Sequence, residues 1–247
     1  MADQSKTTRN KVQIAWLAIL FFAVALASRP LFELLPSPIS TIAWKSFWVV
    51  VCFIGIVITY RINFKGICRE LTLNTSIGRG IAISVLASLP MLVIFAVNLD
   101  LNRGISVLSI FLTSILAPFT EELLFRGYFF LQLYRRAGWS FMVSVIVSAA
   151  IFGIAHYTTL AGRANVADIL AEIGIIALGG VFYAWLLVRW DSLWVPIFLH
   201  AFMNLWCEGF ACDQIVSQSS TNVGRLLTVV LAIVVTVLGS RESSVKE

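Results

Sequence analysis

The sequence predicts an all-α fold, a polytopic membrane protein of about eight transmembrane helices. Three observations lead there. Hydrophobic residues make up 59% of the 247-residue chain and charged residues only 13%, against about 25% charged in a soluble domain. The apolar residues fall in runs long enough to cross a bilayer, which takes about 20 helical residues. The basic residues gather in the short segments between those runs. The formal net charge of +5 is therefore a matter of membrane topology: the expected partner is the lipid bilayer, and nucleic acid is not one.

The runs read in order as follows. Residues 1–11 are polar and basic (Lys6, Arg9, Lys11), and an apolar run covers 12–28. That run ends in Ala-Leu-Ala-Ser, which has the look of a signal-peptide cleavage site; the reading adopted is an uncleaved first helix. Pro30, Pro36 and Pro38 make 28–40 an interfacial loop, and a second span covers 41–60. Lys45, near the end of that span, is expected to snorkel to the interface. Residues 61–79 carry Arg61, Lys65, Arg69 and Arg79 and suit a segment lying along the membrane surface. The third span, 81–97, contains Pro90, which predicts a kink. The fourth, 105–134, makes about 45 Å of helix against a hydrocarbon core of about 30 Å. It must tilt, protrude or break near Pro118. Spans at 140–157, 166–188, 193–210 and 223–239 complete the set, in one integral membrane domain over 1–247 with no internal repeat.

Loop charges test the count. With the N-terminus inside, the inner segments hold twelve basic residues: Lys6, Arg9, Lys11, Arg61, Lys65, Arg69, Arg79, Arg135, Arg136, Arg189, Arg241 and Lys246. The outer segments hold four: Arg29, Arg103, Arg163 and Arg225. This asymmetry predicts a multi-pass protein of the cell membrane with both termini in the cytoplasm. Of the four cysteines, Cys207 and Cys212 flank a short loop and have the spacing to form a disulfide or to remain two thiols.

One stretch stands apart. Thr120-Glu121-Glu122-Leu123-Leu124-Phe125-Arg126-Gly127 places three charged residues inside the fourth span. Each such charge costs about 2.5–3.5 kcal/mol at a helix centre on insertion scales, so a cluster of them marks a function. Glu122 and Arg126, four apart, share a helix face and can pair. Glu121 points about 100° away and has no in-helix partner of opposite sign. A desolvated carboxylate has its pKa pushed upward, and a pKa raised toward working pH suits a general base. Glu121 is thus the candidate base and Glu122, with Arg126, the supporting pair.

The chain's two histidines both lie in apolar spans. His156 closes Phe152-Gly153-Ile154-Ala155-His156, and His200 shares a face with Asn204. Polar groups in such spans face the bundle interior, so these groups are expected to converge with Glu121 on one wet pocket. A carboxylate, two imidazoles and a carboxamide suit hydrolysis. Glu121 with one histidine would activate water, and the other histidine with Asn204 would donate to a developing oxyanion. The alternative is a zinc ion held by Glu121, His156 and His200, although no H-E-x-x-H motif is present.

The motifs E-E-x-x-x-R, F-x-x-x-H and H-x-x-x-N, on three spans in this order, resemble those of the CPBP family. These are the CAAX proteases and bacteriocin-processing enzymes, also called Abi. The resemblance covers residues 104–208, including the Phe-Arg-Gly after the glutamates and the Ser192-Leu193-Trp194-x-Pro196 approach to His200. It implies an intramembrane endopeptidase of eight helices with no cofactor, although members are often labelled metalloproteases. Glu121 and His156 would activate the water, His200 and Asn204 would form the oxyanion hole, and Glu122 with Arg126 would support the site. The substrate implied is a membrane-associated protein or peptide. A non-catalytic membrane scaffold or immunity protein of the same fold is the competing reading; a transporter would call for internal repeats. Asp168 and Glu172, one turn apart, would sit at the pocket mouth or simply stabilise a helix N-terminus.

Overall fold

The structure is a computed structural model that describes residues 10–97, 106–157, 165–209 and 217–239. Among these residues the secondary structure is helical throughout, without a strand. Among the described residues, six helical stretches are long and apolar enough to cross a membrane, and two shorter apolar helices, Phe141–Ala155 and Trp194–Cys207, account for the other expected runs. Numbered along the chain, α1 is Lys11–Ala27, α2 Arg29–Phe32, α3 Ile39–Tyr60, α4 Phe64–Glu70 and α5 Ile77–Ala96. The long stretch Val107–Arg136 is α6. Then come α7 (Phe141–Ala155), α8 (Val166–Trp190), α9 (Trp194–Cys207) and α10 (Gln218–Gly239).

Local chemistry explains the boundaries. Asn10 and Gln13 form a reciprocal capping box at the start of α1. Asn63, Ser76, Ser140 and Asn165 each cap a helix by accepting a backbone N–H three residues on. Within the segment expected on the membrane surface, α4 is amphipathic: Ile67 is buried while Lys65 and Arg69 are exposed. Its C-terminal extension is tied to the start of α9, since Thr72 O accepts from Leu193 N and Leu73 O from the Trp194 indole. At α8, Asn165 Nδ2 donates to Asp168 Oδ2 at 2.7 Å, so Asp168 belongs to the helix cap. The expected kink at Pro90 does not end α5, which continues through it to Ala96. Cys212 lies outside the described residues, and with it the expected choice at Cys207.

The surplus length of α6 does not lead to a break at Pro118. The helix widens instead, with π-helical turns at Phe111–Leu116, Glu122–Phe130 and Gln132–Arg136 around the α-helical Ala117–Glu121. In the first π turn the Ala117 N–H reaches Leu112 O, five residues back. The next bond in that register would join residue 118 to Thr113 O, but proline has no N–H to give. Thr113 O is instead taken by Asn204 Nδ2 at 2.9 Å, from α9.

The second half of α6 is the hub of the bundle. Leu123, Leu124, Phe125, Tyr128, Phe129, Phe130, Leu131 and Leu133 are all buried in one core with residues of α1, α3, α7, α8 and α9. Phe22 of α1 stacks on Phe129 at 3.9 Å, and Phe152 of α7 meets Phe125 edge-on at 5.0 Å. Outward positions such as Trp16, Val93, Leu170 and Leu226 are large, apolar and exposed, as a lipid-facing surface requires.

Close helix contact at α7–α8 depends on glycine. A Cβ on Gly153 would stand 2.6 Å from Ile173 O, a backbone atom that cannot swing aside, whereas Gly179 has nothing within 4 Å. Gly153→Val is therefore expected to destabilise the bundle by about 1–3 kcal/mol, the usual range for overpacking. Gly179→Ala should be neutral or slightly stabilising. Thermal melts of the two variants in detergent, followed by circular dichroism, check the contrast.

Candidate functional site

Glu121 and Glu122 stand at an α-to-π junction, the last residue of one turn type and the first of the next. Their side chains leave the helix in different directions and meet different partners. Glu122 is fully buried, and its Oε1 accepts from Arg126 Nη1 at 3.0 Å and from His200 Nδ1 at 2.9 Å. The expected i, i+4 pair is present, and the π turn has not separated it. Arg126 is 1% exposed; its guanidinium lies over the Phe152 ring at 3.9 Å and near Tyr183 at 5.5 Å. A cation over aromatic faces keeps favourable electrostatics without water.

Glu121 turns toward α3 and α7. Its Oε1 accepts from Lys45 Nζ at 2.8 Å, and its Oε2 lies 4.0 Å from His156 Nε2. One expectation is corrected here. Lys45 does not snorkel: it is 8% exposed, in the second turn of α3, with its ammonium 3.9 Å from the centre of the Trp48 ring. Glu121 consequently has a partner of opposite charge, 76 residues away in sequence.

His156 is not inside a helix. It caps α7, and its N–H bonds to Gly153 O in a tightened last turn. That leaves Phe152 O free, and His156 Nδ1 sits on it at 2.8 Å. A carbonyl only accepts, so Nδ1 carries a proton and Nε2 of the neutral ring presents a lone pair toward Glu121. The 4.0 Å between Nε2 and Oε2 is too long for a direct hydrogen bond. It leaves two acceptors facing one space, the arrangement in which one water donates to both.

His200 is held between Glu122 and Tyr183, whose ring stacks on the imidazole at 5.1 Å and 15°. Asn204, one turn further along α9, spends one amide hydrogen on Thr113 O and retains a second. The structure thus gathers the sequence-selected residues into two linked clusters. Glu121 with His156 forms one and Glu122, Arg126 and His200 the other, while Asn204 is tied to the backbone of α6.

The zinc set fits poorly. Among the described residues no three His, Cys, Asp or Glu side chains come together as ligands would. Glu121 Oε1 is engaged by an ammonium.

Sequence reasoning missed Lys45, Tyr183 and Thr113. For Lys45 a signal existed. Of the 18 Lys and Arg residues, sixteen fall in the loop and terminal segments counted above. The two left over, Lys45 and Arg126, are the two that meet the intramembrane carboxylates.

A polytopic α-helical bundle carrying a Glu-Glu-His-His-Arg cluster, sealed around Glu122 and part-exposed at His156, defines a class of intramembrane protein whose site is assembled by several spans. Residues 103–206, the segment that carries this cluster apart from Lys45, match the family "Type II CAAX prenyl endopeptidase Rce1-like". The chain is also 34% identical over 106 residues to a protein of Bacillus subtilis (strain 168) named "Putative membrane peptidase YdiL". That alignment takes in 43% of this chain and 38% of the relative, so the chain spans well under half of that protein's length. Both likenesses bear out the resemblance to the CPBP family. No solved structure matches.

Arg126→Ala would leave the buried Glu122 carboxylate without its cation, a change that typically costs about 3–5 kcal/mol. A clear fall in melting temperature in detergent is expected. Glu122→Gln combined with Arg126→Gln should recover part of the loss, because no net charge then stays buried. A double variant as unstable as Arg126→Ala would show that packing, not charge pairing, sets the cost.

Proposed function

We propose that the chain is an intramembrane endopeptidase that hydrolyses a peptide bond of a membrane-associated protein or peptide without a metal ion. The observation that carries this reading is the pairing of Glu121 Oε2 with the unprotonated face of His156 across 4.0 Å. A water between them is oriented by both acceptors. As its oxygen attacks the scissile carbonyl, one proton passes to the Glu121–His156 pair, and the same proton is later delivered to the leaving amine. The negative charge developing on the carbonyl oxygen needs donors placed before the reaction. Asn204 has a free amide hydrogen for this purpose. His200 Nδ1 is committed to Glu122, which leaves Nε2 as the ring atom that can face the substrate. Glu122, accepting from both His200 and Arg126, holds the ring in that orientation.

The metal-free reading is favoured by the donor set: Lys45 is hydrogen-bonded to one oxygen of the carboxylate that zinc would need. The match of residues 103–206 to a CAAX endopeptidase family and the name of the Bacillus relative support peptidase chemistry. The basic residues of the inner loops support a cell-membrane protein with both termini in the cytoplasm.

Comparing the termini of membrane-associated proteins in cells with and without this gene identifies the substrate. Re-expressed wild-type protein is expected to restore the altered terminus. Glu121→Ala and His156→Ala should each cut its rate of formation by about 10²–10⁴-fold, the usual contribution of a proton-transfer group, and His200→Ala by about 10²–10³-fold, the usual cost of losing an oxyanion donor. A fully active Glu121→Ala protein would sink the assignment of the base. Cleavage in isolated membranes is expected to survive a strong chelator, with no zinc co-purifying; one tightly bound zinc per chain that activity requires would reverse the metal-free reading.

A further inference from the structure

Lys45 lies outside the segment matched by the family and outside every motif that singled out the site. It reaches the site from α3, so its place there is a property of this bundle. Two side chains reach Glu121, Lys45 from α3 and His156 from α7, while His200 of α9 is held by the adjacent Glu122. Only Lys45 touches it, Nζ to Oε1 at 2.8 Å, and it does so at 10% side-chain exposure. The ammonium is walled by aromatic rings, 3.9 Å from the centre of Trp48 and 5.1 Å from that of Trp44. Trp48 is itself anchored, its indole N–H donating to Ala25 O of α1 at 2.9 Å. Two indole faces and one carboxylate thus define a seat for the Lys45 ammonium, built by α1, α3 and α6, with the Arg29 guanidinium also 5.3 Å from the centre of Trp44.

From this geometry we infer that Lys45 is the positioning residue of the site. It holds Glu121 by Oε1 in the ionised form and thereby aims Oε2 at His156. The inference deepens the proposed function and rests on it for its catalytic meaning. A carboxylate has two equivalent oxygens; fixing one by a charge-assisted hydrogen bond sets the direction of the other. In an apolar bundle the same bond also decides charge. With the ammonium present the pair is neutral overall, and without it a lone carboxylate would take up a proton and be useless as a base. Lys45 acts on the reaction through Glu121, so its role is that of a positioning residue.

The ionisation of Glu121 can be read without any substrate. Dicyclohexylcarbodiimide is an apolar reagent that enters the bilayer and adds to protonated, membrane-embedded carboxyl groups, leaving a stable N-acylurea on the side chain. Ionised carboxylates do not react. Full-length protein in phosphatidylcholine vesicles at neutral pH is treated with the reagent, and the adduct on Glu121 is measured by mass spectrometry. Wild type is expected to resist. Lys45→Met, which keeps the apolar stem, should label at least about tenfold more, the smallest effect of removing a charge partner at this distance. Lys45→Arg should resist like wild type, and Lys45→Met with Glu121→Gln should carry no adduct there.

Strong labelling of wild type, or equal labelling of wild type and Lys45→Met, would overturn the inference. The first of these needs no variant to fold. In the terminus comparison, Lys45→Met should lower the rate at saturating substrate and leave KM little changed, with Lys45→Arg restoring the rate. If no protein is cut by wild type, the proposed function fails while the labelling result still judges Lys45.

Discussion

Two adjacent carboxylates in an apolar bundle impose the constraint on which the rest of this structure depends. Consecutive helical residues point about 100° apart, so one cation cannot serve both. Glu122 takes its cation from its own helix, four residues on, and Glu121 takes one from α3. The bundle must therefore bring α3 against α6 at the height of Glu121, and α7 and α8 against α6 at the height of Arg126. Aromatic residues line both seats: Trp44 and Trp48 around Lys45, Phe152 and Tyr183 around Arg126. Removing either partner of such a pair leaves an unpaired buried charge, which ties packing to charge at each position.

The backbone of α6 is adapted to the same task. π-Helical turns often mark functional sites, and here one begins at Glu122. The first of them, with Pro118, frees a carbonyl that α9 uses to seat Asn204. The tightened end of α7 does the equivalent for His156, freeing Phe152 O for its ring. In both cases a missing backbone hydrogen bond is replaced by a side chain of the site, which fixes the orientation of that side chain without further residues.

The sequence makes some of this visible and hides the rest, and the division follows distance along the chain. Apolar runs of about 20 residues are local features, so all eight helical regions were legible, with ends displaced by caps such as Ser76 and Ser140. Glu122 and Arg126 lie one turn apart, so their pairing follows from helix geometry alone. The partner of Glu121 comes from 76 residues upstream, and only the count of basic residues left inside spans pointed to it. His200 was grouped with Asn204 by spacing, yet its Nδ1 bonds to Glu122, because the shared face says nothing about which neighbouring helix each side chain meets. The widening of α6 had no signal beyond its surplus length and Pro118.

Burial then separates the two glutamates in a way spacing could not. Glu122 is 0% exposed and its one bonded oxygen is shared by Arg126 and His200. Glu121 is 9% exposed, and its neighbour His156 has a side chain that is 30% exposed. A group that passes protons to and from water needs a wet edge, whereas a group that holds a charge in place is better without one, since a dry setting strengthens each contact it makes. The Glu121–His156 side of the cluster meets the first requirement and the Glu122–Arg126–His200 side meets the second. The two carboxylates are chemically identical and adjacent in sequence. Their roles in the proposed reaction diverge because one π turn, one lysine and one sealed aromatic pocket give them different surroundings.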